Sequence, residues 1–179
     1  AHARPAAFPP SCPRAPVALP HPAPVRAFLP PFDAGNIRFR ASVPESQAVA
    51  VLSGAAYSYF RYETHLAALE ALSAYDAIAQ EFAARFGRHH PAVDAYRLDD
   101  AEYAFVMIGS FATKARDAVD RLRAAGWRIG LLRPRLLRPF PERAIRTALA
   151  GRRAVAVIDQ NLSVGKGGIL HAELASALY

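Results

Sequence analysis

Short apolar runs alternate with helical patterns in the C-terminal half of this 179-residue chain, and this alternation constrains the fold more than any other feature. YAFVMIG at residues 103–109 is continuously apolar and ends at a glycine, as expected for a strand buried on both faces of a sheet. WRIGLL and AVAVID repeat the pattern at residues 127–132 and 154–159. The alternation predicts an α/β fold, a small parallel sheet with flanking helices and right-handed crossovers. The helices are predicted at residues 113–125, at residues 141–150 and around Leu170, Leu174 and Leu178.

Composition divides the chain into three parts. Residues 1–31 hold ten of the 15 prolines and show no periodicity, so they predict a disordered arm. A linker segment is predicted over residues 32–98. It consists of an irregular crossing, a long amphipathic helix over residues 63–86 and a loop from residue 88. The α/β domain is predicted over residues 99–179. Because the last predicted helix runs into the final residue, we expect this domain to be truncated.

The net charge of +7 comes from 22 Lys+Arg against 15 Asp+Glu. Arg133, Arg135 and Arg138 form the densest basic group, and Arg152 and Arg153 form a pair. Nucleic-acid-binding surfaces usually add a stripe of cations or stacking aromatic residues, and the sequence shows neither. We therefore interpret these arginines as solvated side chains beside strands and helices, and we predict no nucleic-acid partner.

Cys12 is the only cysteine. This count excludes a disulfide within the chain and excludes zinc or iron–sulfur sites ligated by several cysteines, so we predict a reducing compartment and no metal site. The longest mostly apolar run, residues 48–60, is shorter than the roughly 18 residues of a membrane span. Proline recurs too often near the N-terminus for the apolar core of a signal peptide. We therefore predict a cytoplasmic protein with no membrane contact.

A glycine-rich loop between the third strand and the last helix is the one candidate ligand site. Gly165, Gly167 and Gly168 would present backbone N–H groups to an anion beside Lys166. The loop lacks the glycine spacing of a P-loop and of a dinucleotide fingerprint. The alternative is a glycine turn that lets the helix pack closely on the sheet.

The other polar residues form no set of nucleophile, base and orienting group, so we predict no catalytic residue. Ser110 or Thr113 is expected to cap a helix rather than to act as a nucleophile, because no G-x-S-x-G motif surrounds either. The acidic residues before the first strand are expected to form a solvated rim. Four of the six histidines, His65, His89, His90 and His171, lie in the predicted linker and α/β domain, and they lack metal-ligand spacing.

The resemblance to a known family rests on two stretches, AEYAFVMIGSFATKARDAVDRLRAAGWRIGLLRPRLLRPFP and RAVAVIDQNLSVGKGGILHAELASALY. Together they resemble the second domain of the α subunit of pyruvate:ferredoxin oxidoreductases. The order of the motifs is also similar to that in the C-terminal domain of transketolase-like enzymes. These motifs are a Gly-Ser turn, a helix ending in A-x-G, a strand that runs into arginine, and L-x-P-F-P. VRAFLPPFD and SYFRYETHLAALEAL resemble the segment that joins this domain to the thiamine-binding domain.

The resemblance implies a non-catalytic structural and subunit-contact domain of a 2-oxoacid:ferredoxin oxidoreductase. The complex would carry out thiamine-diphosphate-dependent, CoA-dependent oxidative decarboxylation of pyruvate or a related 2-oxoacid, and this chain alone would be inactive. The implied partners are the β subunit and iron–sulfur subunits, with thiamine diphosphate, magnesium and iron–sulfur clusters in the complex and none on this chain alone. The alternative is a stand-alone α/β module that binds a protein or an anion.

Overall fold

The computed structural model describes residues 18–33, 35, 40–44 and 54–179. Five helices and four strands alternate along most of this part of the chain. The helices are α1 (Pro22–Phe28), α2 (Gly54–Phe86), α3 (Phe111–Ala124), α4 (Glu142–Leu149) and α5 (Ile169–Leu178). The strands are β1 (Val93–Tyr96), β2 (Tyr103–Val106), β3 (Ile129–Pro134) and β4 (Ala154–Val157).

The strands form one mixed sheet in the order β1-β3-β2-β4. β2 pairs in parallel with both β3 and β4, which confirms the three predicted parallel strands. β1 pairs antiparallel with β3, so the prediction of a loop was wrong at residues 93–96. The strand VDAY was missed because Asp94 and Tyr96 interrupt its apolar pattern, and their polar groups find partners only in the folded chain.

Helices cover both faces of the sheet, and each interface has its own apolar core. On one face, the core includes Val106, Leu132, Ile145 of α4 and Leu170 of α5. On the other face, α3 packs against Leu131 and its neighbours through buried Ala112, Ala115 and Val119. The result is a three-layer α/β arrangement. It confirms the predicted sheet with flanking helices, and α3, α4 and α5 lie where helices were expected.

α2 begins earlier than predicted and is mostly exposed. The expectation of an irregular crossing was wrong for residues 54–60, which belong to the helix. Ala79 is its one buried residue, so the apolar stripe of this helix does not form a core within the described part of the chain. Its C-terminal half is held by a hydrogen bond from Tyr75 Oη to the carbonyl oxygen of His90, at 3.0 Å.

The N-terminal arm contains a short helix, α1, so the prediction of disorder was wrong for residues 22–28. Two sequence signals favour this helix: proline at its first position, where no N–H is needed, and His21 as the N-cap, whose Nδ1 accepts from the N–H of Ala23 at 3.4 Å. Phe28 packs edge-on against Phe82 and Phe86 of α2. The proline-rich residues 1–17, including Cys12, lie outside the described residues.

None of the helices in the described ranges is long and apolar enough to cross a membrane.

Candidate functional site

The predicted glycine-rich loop leaves the carboxyl end of β4 and leads into α5. Asp159 accepts two backbone hydrogen bonds there: Oδ2 from the N–H of Leu170 at 2.8 Å and Oδ1 from the N–H of Asn161 at 2.9 Å. A Cβ at Gly168 would lie 3.1 Å from Asp159 Oδ2. A carboxylate of the chain itself therefore occupies the position beside the α5 N-terminus that an anion would take.

The loop is closed by its own backbone. The N–H groups of Lys166 and Gly167 both donate to the carbonyl oxygen of Ser163 at 3.0 Å, and Ser163 N–H donates to the carbonyl oxygen of Gly167 at 2.8 Å. Gly165 and Gly167 have φ angles of 80° and 99°, a region that favours glycine. This geometry accounts for the glycines as a tight turn. An anion at Gly165, Lys166, Gly167 and Gly168 stays a prediction, in competition with Asp159.

The other polar residues considered in the sequence are dispersed. Ser110 occupies the N-cap position of α3, but its side chain forms no capping hydrogen bond there. Two of the three acidic residues before β2 lie in ion pairs rather than in a free rim: Glu102 contacts Arg128 and Arg153, and Asp100 contacts Arg123. Asp99 is exposed and forms no ion pair with the described residues. Within the described ranges, no group of three histidine, cysteine or acidic side chains could hold a metal ion.

The three arginines of the densest basic group do not behave alike. Arg138 is exposed and pairs with Glu173 of α5 at 2.5 Å, and this contact raises the pKa of Arg138. Arg135 is largely buried and pairs with Asp94 at 3.0 Å. Arg133 is half-buried beside them. The interpretation of solvated arginines therefore fits Arg138 but not Arg133 or Arg135.

An apolar groove lies on the α3 side of the sheet, where α3 does not extend over β4. Its volume is about 350 Å³. Tyr103 and Trp127 meet edge-on with their ring centroids 5.9 Å apart, and Trp127 is 53% exposed. Ala154 and Ala156 of β4 form a flat floor. The complete lining is Tyr103, Ala104, Phe105, Leu122, Trp127, Ile129, Ala154, Val155 and Ala156.

β4 forms the edge of the sheet beside this groove. No other strand of the described part of the chain pairs with its outer side. Its residues are alternately exposed and half-buried, so the expectation of a fully buried strand was wrong. Further exposed apolar side chains follow β4 along the chain: Ile158, Leu162 and Val164 are 45%, 74% and 96% exposed. An uncharged, uncovered edge with an apolar face is typical of a surface that another polypeptide covers.

A second exposed apolar surface lies on the first half of α2. Its members are aromatic or leucine side chains with exposures of 39–58%. Tyr59 donates to Glu63 at 2.9 Å, and this hydrogen bond raises the pKa of Tyr59. The exposed residues are Tyr57, Tyr59, Phe60, Tyr62, Leu66 and Leu69.

The two surfaces were not found from the sequence, although one signal was available. Trp127 begins the second apolar run and immediately follows the glycine that ends α3. A large aromatic residue at the start of a strand lies at the rim of the sheet. Exposed tryptophan rings at such positions are common in contact surfaces. The exposure of β4 has no such local signal.

Known proteins are similar to this chain, and the family match covers the α/β part of it. Residues 101–179 match the family model for pyruvate:ferredoxin oxidoreductase core domain II. The chain is 40% identical over 156 residues to pyruvate synthase subunit PorA of Methanosarcina barkeri, covering 85% of this chain and 38% of that protein.

Other relatives have different substrates in their names. Ketoisovalerate oxidoreductase subunit VorA of Pyrococcus horikoshii is 34% identical over 131 residues, which are 73% of this chain and 33% of that protein. The alpha subunit of NADH-dependent phenylglyoxylate dehydrogenase of Aromatoleum evansii is 40% identical over 111 residues, which are 61% of this chain and 27% of that protein. The chain thus spans between 27% and 38% of the length of these three relatives.

Proposed function

Because residues 101–179 belong to the core domain II family of pyruvate:ferredoxin oxidoreductases, we propose that this chain is a non-catalytic subunit-contact part of a 2-oxoacid oxidoreductase α subunit. The assembled enzyme would oxidatively decarboxylate pyruvate or a related 2-oxoacid with coenzyme A and reduce ferredoxin or a similar acceptor. The chain's own role is to hold catalytic parts of the assembly against one another.

The groove at β2 and β4 carries this proposal. It combines an uncovered sheet edge, an alanine floor and a half-exposed tryptophan, and its lining is apolar. Apolar surface of this kind is costly to leave in water, at roughly 25 cal/mol per Å². A partner polypeptide that covers the groove would recover that free energy, which supports a contact role. The partners we propose are the β subunit and the iron–sulfur subunits.

The cofactors of such an enzyme do not fit the residues of this chain. An iron–sulfur cluster takes about four cysteine ligands, and the sequence has only Cys12. Thiamine diphosphate binds through magnesium and a pyrophosphate, but the α5 N-terminus already contacts Asp159 and the described residues contain no cluster of carboxylates that could hold a metal. We therefore assign these groups, together with the coenzyme A and 2-oxoacid sites, to other parts of the assembly.

The identity of the 2-oxoacid stays open in this proposal. The relatives are named for pyruvate, ketoisovalerate and phenylglyoxylate, and this chain matches all three to a similar degree. A domain that does not form the substrate pocket would be shared across these specificities. The small number of cysteines supports a reducing compartment, and we place the assembly in the cytoplasm.

Co-expression with the remaining parts of a pyruvate synthase tests the contact role. The wild-type chain is expected to co-purify with a brown, iron–sulfur-containing partner. Ala156→Lys should lower the recovered complex at least tenfold, because it would bury an unpaired charge on the groove floor. Ala118→Lys, on the exposed outer face of α3, is the matched control and should co-purify like wild type.

The proposal fails if the wild-type chain is recovered alone, or if both lysine variants co-purify equally. Calorimetric titration of the isolated chain with thiamine diphosphate and magnesium provides a separate test. No heat of binding is expected, and binding in the micromolar range would contradict the non-catalytic role.

A stand-alone anion-binding module is the second candidate, and one observation favours it. Arg133 and Arg135 lie half-buried or deeper among other arginines, with few carboxylates nearby. A stable monomer that assembles with none of the oxidoreductase subunits would favour this reading.

A further inference from the structure

Three arginines lie around one carboxylate at the end of the sheet where β1 pairs with β3, and a fourth lies near enough to act on the neighbouring His90. This arginine cluster consists of Arg88, Arg116, Arg133 and Arg135, and the carboxylate is Asp94. Asp94 lies directly opposite Arg133 in the antiparallel pairing. Arg116 comes from α3, and Arg88 comes from the turn after α2, so distant parts of the sequence bring the four charges together.

Asp94 neutralises only part of this charge. Its Oδ2 atom accepts from Arg116 Nη2 at 2.9 Å and from Arg135 Nη2 at 3.0 Å. The Asp94 side chain is only 16% exposed. Two guanidinium groups thus share one oxygen atom of one carboxylate, and the other two arginines form no ion pair with any described residue.

Two of these guanidinium groups have donors without an acceptor among the described residues. Arg135 Nε is buried and has no hydrogen-bond partner among the described residues. Arg133 forms neither a side-chain hydrogen bond nor an ion pair with them, although it is half-buried. Arg88 lies over the ring of Phe82, at 5.5 Å from its centroid. A buried guanidinium N–H without an acceptor is costly, and few such donors persist in folded proteins without water or a ligand.

Titration behaviour agrees with an excess of positive charge. The pKa of Arg133 is lowered, first by burial and then by the charge of Arg135. The pKa of His90 is lowered as well, first by burial and then by Arg135, Arg88 and Arg133. His90 therefore stays neutral at pH 7 and adds no charge of its own. Both shifts indicate that the four arginines act on the same small region.

We propose that the arginine cluster binds the phosphate group of a small molecule. A phosphate monoester carries a charge of about −2 at pH 7 and several acceptor oxygens, so it matches the excess of guanidinium groups better than a second carboxylate would. Planar guanidinium groups donate pairs of parallel hydrogen bonds to such oxygens. Arg133 and Arg135 would hold the phosphate, and Asp94 would keep Arg116 and Arg135 oriented. This site is independent of the proposed contact role, because it lies at the opposite edge of the sheet from β4.

Calorimetric titration of the full 179-residue chain with inorganic phosphate and with AMP tests the proposal. Both are expected to bind in low salt. Tighter binding of AMP would assign the site to a nucleotide, and equal binding would assign it to free phosphate. Arg133→Gln should weaken binding at least about tenfold, since it removes a charge-assisted donor. Arg121→Gln is the matched control, because Arg121 is exposed on α3 and outside the cluster, and it should change the affinity less than about twofold.

Chemical modification gives a readout that does not depend on the folding of a variant. Phenylglyoxal labels accessible arginines, and mass spectrometry locates the label. Phosphate should protect Arg133 and Arg135 and leave Arg121 unprotected. Absence of binding to the wild-type chain, equal loss of affinity in the two variants, or equal protection of all three arginines would overturn the proposal.

Discussion

At the scale of single residues, Gly130 shows how closely β3 approaches the turn after β1. A Cβ at this position would lie 2.5 Å from the carbonyl oxygen of Arg97 and 2.8 Å from the Leu98 side chain. Arg97 itself has a φ of 51°, which is uncommon for a residue with a side chain. Arg123 Nη2 donates to the Arg97 carbonyl oxygen at 2.8 Å and so fixes the turn against the sheet. The turn and β3 are therefore in close contact at Gly130.

Gly130→Ala is therefore expected to destabilise the fold by about 1–3 kcal/mol, because the added methyl group overlaps backbone atoms that cannot shift freely. Urea unfolding followed by circular dichroism measures the change. Gly168→Ala is the comparison variant, since its Cβ would first meet the Asp159 side chain at 3.1 Å and should cost less. An unfolding midpoint for Gly130→Ala equal to that of wild type would refute the close approach.

The ion pair between Arg123 and Asp100 gives a pH-dependent signal. Arg123 Nη2 donates to Asp100 Oδ1 at 2.6 Å, and this hydrogen bond is the largest of the effects that lower the pKa of Asp100. A carboxyl group with a lowered pKa in the folded state stabilises the fold above its unfolded pKa. That stabilisation is lost as the pH falls through the lowered, folded-state pKa.

We expect Arg123→Gln to return the pKa of Asp100 towards the ordinary aspartate value, because the charge-assisted hydrogen bond is gone. Carbon-13 NMR titration of the side-chain carboxyl groups measures this directly. Arg121→Gln, two residues earlier on the same helix, should leave the Asp100 titration unchanged. If Asp100 titrates identically in wild type and in Arg123→Gln, the ion pair is not the cause.

At the scale of elements, the apolar strands β2, β3 and β4, the helices that follow them and most of α2 were predictable, whereas β1 and α1 were not. β2 and β3 are apolar runs bounded by glycine. Because these strands are largely buried, nearly all of their residues are apolar, and the strand pattern is easy to recognise in the sequence. β1 was missed because Asp94 and Tyr96 read as polar loop residues. Tyr96 Oη donates to the carboxylate of Asp120 on α3, a partner 24 positions away that no local pattern reveals.

α5 depends on a cap that comes from the preceding strand end rather than from its own N-cap residue, Gly168. Asp159 supplies the two acceptor oxygens, for Leu170 and Asn161. Asp159→Ala should lower the free energy of unfolding by about 1–2 kcal/mol, the usual range for loss of a capping side chain. Thermal and urea unfolding measure the loss.

The matched control for the cap is Asp99→Ala, because Asp99 is exposed and forms no ion pair with the described residues. This control should stay within about 0.5 kcal/mol of wild type, as most exposed substitutions do. Equal stability of the two alanine variants would show that Asp159 does not cap α5.

At the scale of the whole molecule, the three-layer α/β arrangement follows from the sequence, whereas the candidate contact surface does not. An apolar run indicates that a strand is buried, but it does not indicate which element or partner polypeptide covers that strand. Ala154 and Ala156 read as core residues in the sequence and are exposed in the fold, because α3 extends over β3 and not over β4. β4 has apolar residues on both faces, but helices cover only one of these faces. We therefore expect a further polypeptide to cover the other face.

Hydrogen–deuterium exchange of the chain, free and assembled with the β and iron–sulfur subunits of a pyruvate synthase, tests the contact role most directly. Amides in β4, at Ile158 and beside Trp127 should exchange more slowly in the assembly, while the exposed outer face of α3 near Ala118 should exchange as in the free chain. Unchanged exchange along β4 and at Trp127 in a complex that demonstrably contains the chain would contradict the account.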